Sequence, residues 1–208
     1  MSLNNLIPEF KIIAIGDSGV GKTSIFKRFA HNKFDEDTMS TIGLAFADKK
    51  LTLKSKEKVQ LKLVDTGGQE RYRSLAKSYY KNADGVLFVF AHNDKESFDN
   101  IKDWIQLYDE NASNKETPKF LIGNKNDLGK LDEEEAFNTF IKEHNILRYK
   151  STSAKDNINI TETFEDMADI IDSNFNKKGK QQIINLTNKE KKRDFKCNLC
   201  QSDIQIKN

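Results

Sequence analysis

Only two cysteines occur in the 208 residues, Cys197 and Cys200, and both stand near the C-terminus. The body of the chain therefore folds without thiols, which excludes a disulfide scaffold and suits a reducing compartment. No run of about 18 apolar residues occurs, so there is no candidate transmembrane helix. The opening MSLNNLIPEF has neither a basic segment nor a continuous apolar stretch, so no secretory signal is expected. These absences point to a cytoplasmic protein, and the sequons at Asn111, Asn159 and Asn185 are read as unmodified. A large excess of either charge is also missing, because 34 basic residues face 32 acidic ones. The small surplus is unevenly placed. Residues 176–208 carry nine basic and three acidic residues, while residues 1–175 are weakly acidic. A basic tail on an acidic body points to a partner of the tail and away from a general nucleic-acid binder.

What is present is an alternation of apolar runs and amphipathic segments from residue 10 to about 172. GVLFVFA is an uninterrupted apolar run, and FKIIAIG and KFLIGNK read as further buried strands. LAFADKKLTLKS and KVQLKLVD alternate apolar and polar residues around SKEK, which predicts a hairpin. KTSIFKRFAHN puts Ile25, Phe26 and Phe29 on one helical face, and KESFDNIKDWIQLY has helical period. LDEEEAFNTFIKEH predicts a helix capped by Asp132, with glutamates in its first turn. NINITETFEDMADIIDSNF places Ile160, Phe164, Met167 and Ile171 at helical spacing. With a short strand before STSAK, the expectation is α/β. It has a mostly parallel six-stranded sheet, one antiparallel edge strand from the hairpin, and about five helices over both faces. The expected divisions are an N-terminal extension over 1–9, one domain over 10–175, and a flexible basic tail over 176–208.

The motif GDSGVGKT, Gly16 to Thr23, fits G-x-x-x-x-G-K-[ST] between a strand and a helix. Backbone N–H groups along Ser18, Gly19, Val20, Gly21, Lys22, Thr23 and Ser24 would wrap a diphosphate at a helix N-terminus. Lys22 would reach the β and γ phosphates, and the Thr23 hydroxyl would serve Mg²⁺. GNKND, Gly123 to Asp127, ends a buried strand, where open α/β sheets bind ligands. Asp127 can accept from the N1–H and 2-amino groups of guanine, which adenine does not offer in that arrangement. Asn124 can tie the loop together, and the stem of Lys125 can pack on the ring. STSAK follows the next strand and contributes Ser153, Lys155 and the backbone N–H of Ala154, which faces the guanine oxygen. Asp65 ends the second hairpin strand, where it can hold Mg²⁺ through water. Gly68 can bring a backbone N–H close to the γ-phosphate, and Gln69 can orient an attacking water. Between these motifs stand Phe34, a candidate to stack on the base, and Thr41, a second hydroxyl for Mg²⁺.

These stretches resemble the Ras superfamily of small GTPases, and most closely the Rab family, over roughly residues 10–175. GDSGVGKTS, STIG with Phe46, DTGGQERYRSL, YYKNADG, DKESFDNIKDW, GNKNDL and TSAKDNIN carry the resemblance. It implies a P-loop NTPase small G domain that binds GTP and GDP with Mg²⁺ and hydrolyses GTP with Gln69. It implies two switch segments, around Phe34–Phe46 and Gly67–Tyr80. Exchange factors, GTPase-activating proteins, effectors and a GDP-dissociation inhibitor would be partners of a monomer that regulates vesicle traffic. A slowly cycling adaptor of the same fold is the alternative, and a P-loop kinase or ATPase is disfavoured by NKND with SAK.

The departures from the family pattern are local. Val64 stands where a tryptophan is usual, so the effector-facing aromatic triad keeps only Phe46 and Tyr79. Ala45 and Ala91 stand where aspartates are usual, and Gly67 stands where alanine is usual. Cys200 lies eight residues from the end of the chain, and no C-a-a-X box is seen. Three readings of CNLC stay open: unmodified thiols, prenylation at one or both, or a zinc half-site that supplies two of four ligands. The basic run from Lys177 to Lys196 could meet an anionic membrane, on the cytosolic face of an endomembrane, with or without such a lipid. Gly67 loosens its segment by roughly 0.5–1 kcal/mol relative to alanine where the dihedrals suit alanine. Hydrogen exchange across residues 66–74 should therefore slow in Gly67→Ala, and equal exchange in both nucleotide states would contradict the softer hinge.

Overall fold

The computed structural model describes residues 7–36, 45–65, 80–131 and 134–177. Strand β1 (Glu9–Ile15) leads into helix α1 (Lys22–His31). The hairpin follows as β2 (Ala45–Thr52) and β3 (Lys58–Asp65). Next come β4 (Gly85–Ala91), α2 (Lys95–Asp99) and α3 (Ile101–Asn111). Then β5 (Lys119–Asn124), a 3₁₀ turn (Asn126–Leu128), α4 (Glu134–Glu143) and β6 (Arg148–Ser151) complete the sheet. A last helix, α5, covers 160–177. The chain divides into a compact unit Met1–Ile171 and a second unit from Asp172 onward, of which residues 172–177 are described and helical.

The strand order in the 6-stranded sheet is β2-β3-β1-β4-β5-β6. β2 pairs antiparallel with β3, in the register Phe46↔Val64, and every other pairing is parallel. This is the expected fold class, with the hairpin as the antiparallel edge.

Alternation along the central strands divides the core in two. Ile12 and Ala14 of β1, with Leu87 and Val89 of β4, join Ile25, Phe26 and Phe29 of α1 and Ile160, Phe164 and Met167 of α5. Ile13 and Ile15, with Val86, Phe88 and Phe90, join Ile101, Trp104 and Tyr108 of α3 and Phe137 of α4. Successive side chains of a strand point to opposite faces, so a strand covered on both sides must be apolar throughout. All seven residues of β4 are accordingly buried. Phe164 stacks on Phe29 with ring centroids 4.0 Å apart, so α1 and α5 lock together on one face. The single helix expected over KESFDNIKDWIQLY is interrupted at Asn100, a turn residue between α2 and α3. Its side-chain amide leaves the helix surface to donate to Asp17. Asp132, the expected cap of α4, lies outside the described residues.

The parallel strands all run the same way, so their carboxyl ends meet at one edge. Ile15, Asp65, Ala91, Asn124 and Ser151 are the terminal residues there.

Candidate nucleotide site

The loop after β1 turns back on itself before α1. Gly16 takes φ +152°, and a Cβ there would stand 2.0 Å from the Val89 carbonyl oxygen. Gly21, at φ +96°, is the N-cap of α1 and has no side chain with which to bond the first turn. Lys22 is buried and donates Nζ to the carbonyls of Gly16 (2.9 Å) and Asp17 (2.6 Å). Burial pushes its ammonium down to about 8, partly opposed by the carboxylates of Asp65 and Asp17. A phosphate brought beside it would favour the charged form again.

Thr23 donates its hydroxyl to the Asp65 carboxylate, which is itself buried at the end of β3. This pair is a hydroxyl and a carboxylate on the lip of a cavity that also contains Lys22. Among the described residues there is no cluster of three or more His, Cys, Asp or Glu that could hold a metal. Mg²⁺ does not need one, since it takes one or two protein oxygens and completes its shell with phosphates and water.

The loops after β5 and β6 are tied to the loop after β1 through Asn124, which is 1% exposed. Its Nδ2 donates to the Val20 carbonyl (2.9 Å). Its Oδ1 accepts from the Thr152 hydroxyl (3.2 Å) and the Ala154 N–H (3.3 Å). Ser153 donates Oγ to Asp127 Oδ1 (2.7 Å), which fixes that carboxylate through one of its oxygens. Lys125 holds φ 60°, which turns the chain from β5 into the 3₁₀ turn that presents Asp127. Arg28 of α1 reaches across to the same loop, donating Nε to the Ala154 carbonyl and Nη2 to that of Lys155, both at 2.8 Å. Its guanidinium stands 5.9 Å from the Phe34 ring centre. An exposed ion pair, Lys155 Nζ to Glu36 Oε1 at 2.8 Å, joins the loop to the segment after Phe34.

A cavity of about 280 Å³ runs between these parts. Ser18, Gly19, Gly21, Lys22, Thr23, Ser24, Phe34, Asp65, Asn124, Lys125, Asp127, Ala154 and Lys155 line it. Asp35, Glu36 and Leu128 join them. Val20 and Ser153 stand behind the wall, acting through the bonds to Asn124 and Asp127. Thr41, Gly68 and Gln69 lie outside the described residues, as do Gly67, Tyr79, Cys197 and Cys200.

The sequence reading did not single out Asp17, Asn100, Trp104, Arg28, Glu36, Leu128 or Thr152. Asp17 is the most informative of these. A carboxylate in a loop that wraps phosphates would repel them if it faced inward. Here Trp104 Nε1 donates to Oδ1 (2.6 Å) and Asn100 Nδ2 to Oδ2 (2.8 Å), so it is turned toward α3. The available signal was the one tryptophan of the chain, a polar-tipped ring on an apolar helical face.

The family model described as the Ras family matches residues 11–173. The chain belongs to the Ras family. Among curated relatives, Ras-related protein Rab-13 of Bos taurus is 40% identical over 162 residues, covering 76% of this chain and 78% of that protein. Ras-related protein Rab-10 of Caenorhabditis elegans is 40% identical over 164 residues, covering 78% of this chain and 80% of that one. Ras-related protein Rab-8A of Pongo abelii is 35% identical over 199 residues, covering 90% and 95%. Within the Ras family this chain is a Rab-like small GTPase.

Asn124 makes the sharpest test of this geometry. Asn124→Ala removes a donor and an acceptor from a buried position and orphans Val20, Thr152 and Ala154, each at about 1–3 kcal/mol. GDP affinity should fall at least roughly tenfold in a fluorescent-nucleotide titration. Unchanged affinity would show that the three-way tie does not hold the site.

Proposed function

We propose that this chain is a GTP-binding switch that hydrolyses GTP to GDP and phosphate and regulates intracellular membrane traffic in the manner of a Rab. The observation that carries the reading is one cavity with phosphate-binding chemistry at one end and guanine-binding chemistry at the other. Lys22 and the amides at the start of α1 lie at the first end, and Asp127 with the Ala154 N–H lies at the second.

In this reading the diphosphate lies in the loop of residues 16–21, and Lys22 exchanges its bonds to Gly16 and Asp17 for phosphate oxygens. Thr23, Thr41 and Asp65 would hold Mg²⁺, Asp65 through water. When bound, the ion neutralises charge on the β and γ phosphates. Asp127 accepts from N1–H and the 2-amino group of guanine, Ala154 exchanges its N–H bond to Asn124 for one to the guanine oxygen, Lys125 and Phe34 cover its faces, and Ser153 keeps Asp127 in place. Gln69 orients the attacking water and Gly68 offers its N–H to the γ-phosphate. Loss of that phosphate would release the switch segments, and the ordered and released states would be read by different partners. An arginine supplied by an activating protein would add roughly 10³ to 10⁵ in rate. Residues 10–175 form the G domain in this account, and the basic tail over 176–208 brings it to an anionic cytosolic membrane face, with or without a lipid on Cys197 or Cys200.

A second reading, a nucleotide-bound adaptor that cycles rarely, is favoured by Val64. This residue is fully buried on β3, in the place of the usual effector-facing tryptophan.

Single-turnover hydrolysis of bound GTP, measured beside GDP release, separates the two. The wild-type chain should convert GTP slowly and accelerate with an activating protein, while Gln69→Leu keeps its affinity and loses most of the stimulated rate. Equal turnover in both proteins would remove Gln69 from the chemistry, and no turnover in the wild type would favour the adaptor.

A further inference from the structure

His92 follows β4 directly and touches none of the cavity, yet it is bonded to the base-recognition turn from three sides. It is 4% exposed. Its backbone N–H donates to the Asn124 carbonyl (2.8 Å). Its Nδ1 accepts the N–H of Leu131 (3.3 Å), in the segment that leaves the turn. Its Nε2 lies 3.0 Å from Ser151 Oγ and 3.1 Å from the Tyr149 hydroxyl. Ser151 Oγ in turn accepts from Nδ2 of Asn126 (3.2 Å), the neighbour of Asp127. Gly123 makes room for the ring, since a Cβ there would stand 2.6 Å from Nε2.

These partners fix the tautomer. A backbone N–H can only donate, so Nδ1 must be bare and the proton must sit on Nε2, shared between Ser151 and Tyr149. We infer that His92 is a positioning residue for guanine recognition, holding Asn126 through Ser151 and the exit of the turn through Leu131, and that it does so only as the neutral imidazole. This rests on the guanine reading of the cavity. An apolar side chain would fill the same volume and make none of these bonds.

Protonation would put a second N–H on Nδ1, facing the N–H of Leu131, and the segment would have to move away. The surroundings resist that charge. Phe90 of β4, Phe137 of α4 and Tyr149 of β6 enclose the ring. Burial and, after it, the like charge of Lys130 hold the imidazole below the usual histidine range. Burial also pushes the Tyr149 hydroxyl up to about 12, so it stays neutral throughout. The sign follows. The closed turn is intact while His92 is neutral. As pH falls below the ordinary histidine range, an opened turn takes up a proton that the closed one refuses, so opening is favoured.

The test is release of a fluorescent GDP analogue from the full chain with Mg²⁺ at about pH 7.5 and about pH 5.5. The wild type, His92→Gln and His92→Leu are compared, so that titration of the nucleotide itself cancels. Glutamine can accept from Leu131 and donate to Ser151 without titrating. It should match the wild type at the higher pH and lack roughly three- to tenfold of the wild type's acceleration at the lower. Leucine should release GDP several-fold faster at the higher pH and also lack that acceleration. Identical rates in all three proteins at both pH values, or slower release from His92→Leu, would overturn the inference and leave the guanine reading standing. No GDP binding by the wild type at the higher pH would overturn both.

Discussion

The side-chain amide of Asn124 ties its own loop to two others that are far apart in sequence. Its Nδ2 holds Val20, and its Oδ1 holds Thr152 and Ala154. Parallel strands bring the loops after β1, β5 and β6 to one edge, but a common edge does not set distances to within a hydrogen bond. A buried amide with both ends engaged does, because any slip leaves a buried polar group unpaired. The loops after β1, β5 and β6 are therefore held as one piece. Gly21 belongs to the same constraint: a Cβ there would stand 2.4 Å from Asn124 Nδ2.

Around that tie several charged groups have an internal partner. Lys22 rests on two carbonyls, Thr23 on Asp65, Asp127 on Ser153, and Asp17 on Trp104 and Asn100. In the proposed function, binding exchanges some of these bonds for bonds to nucleotide and metal. Such an exchange needs little reorganisation, which favours affinity. The bonds that stay, from Asn124 to Val20 and Thr152 and those of Ser153 and Trp104, keep the remaining donors aimed.

Much of this was legible in the sequence, for physical reasons that differ by element. β4 is apolar throughout and β5 is apolar between Lys119 and Asn124, because both strands are buried along their length, so their extent shows directly in GVLFVFA and KFLIGNK. The P-loop shows because glycine spacing reflects backbone angles that other residues strain to adopt. What spacing cannot show is a pair joined only by folding. Trp104 and Asp17 are 87 positions apart, and Arg28 and Ala154 are 126 apart. His92 read as one polar residue in FVFAHND. Its meaning comes from Leu131, Tyr149 and Ser151, which the segment after the 3₁₀ turn and strand β6 deliver to it.

The central claim is that Asp127, held by Ser153 and the Asn124 tie, reads guanine. Replacing Asp127 with asparagine tests it most directly, with GDP and xanthosine diphosphate titrated against both proteins. Asparagine offers one acceptor and one donor, which suit the N1–H and the 2-oxo group of xanthine. The account predicts that Asp127→Asn loses roughly 10²-fold or more in GDP affinity and gains affinity for the xanthine nucleotide. Equal GDP affinity in the two proteins, with no gain for xanthine, would contradict it.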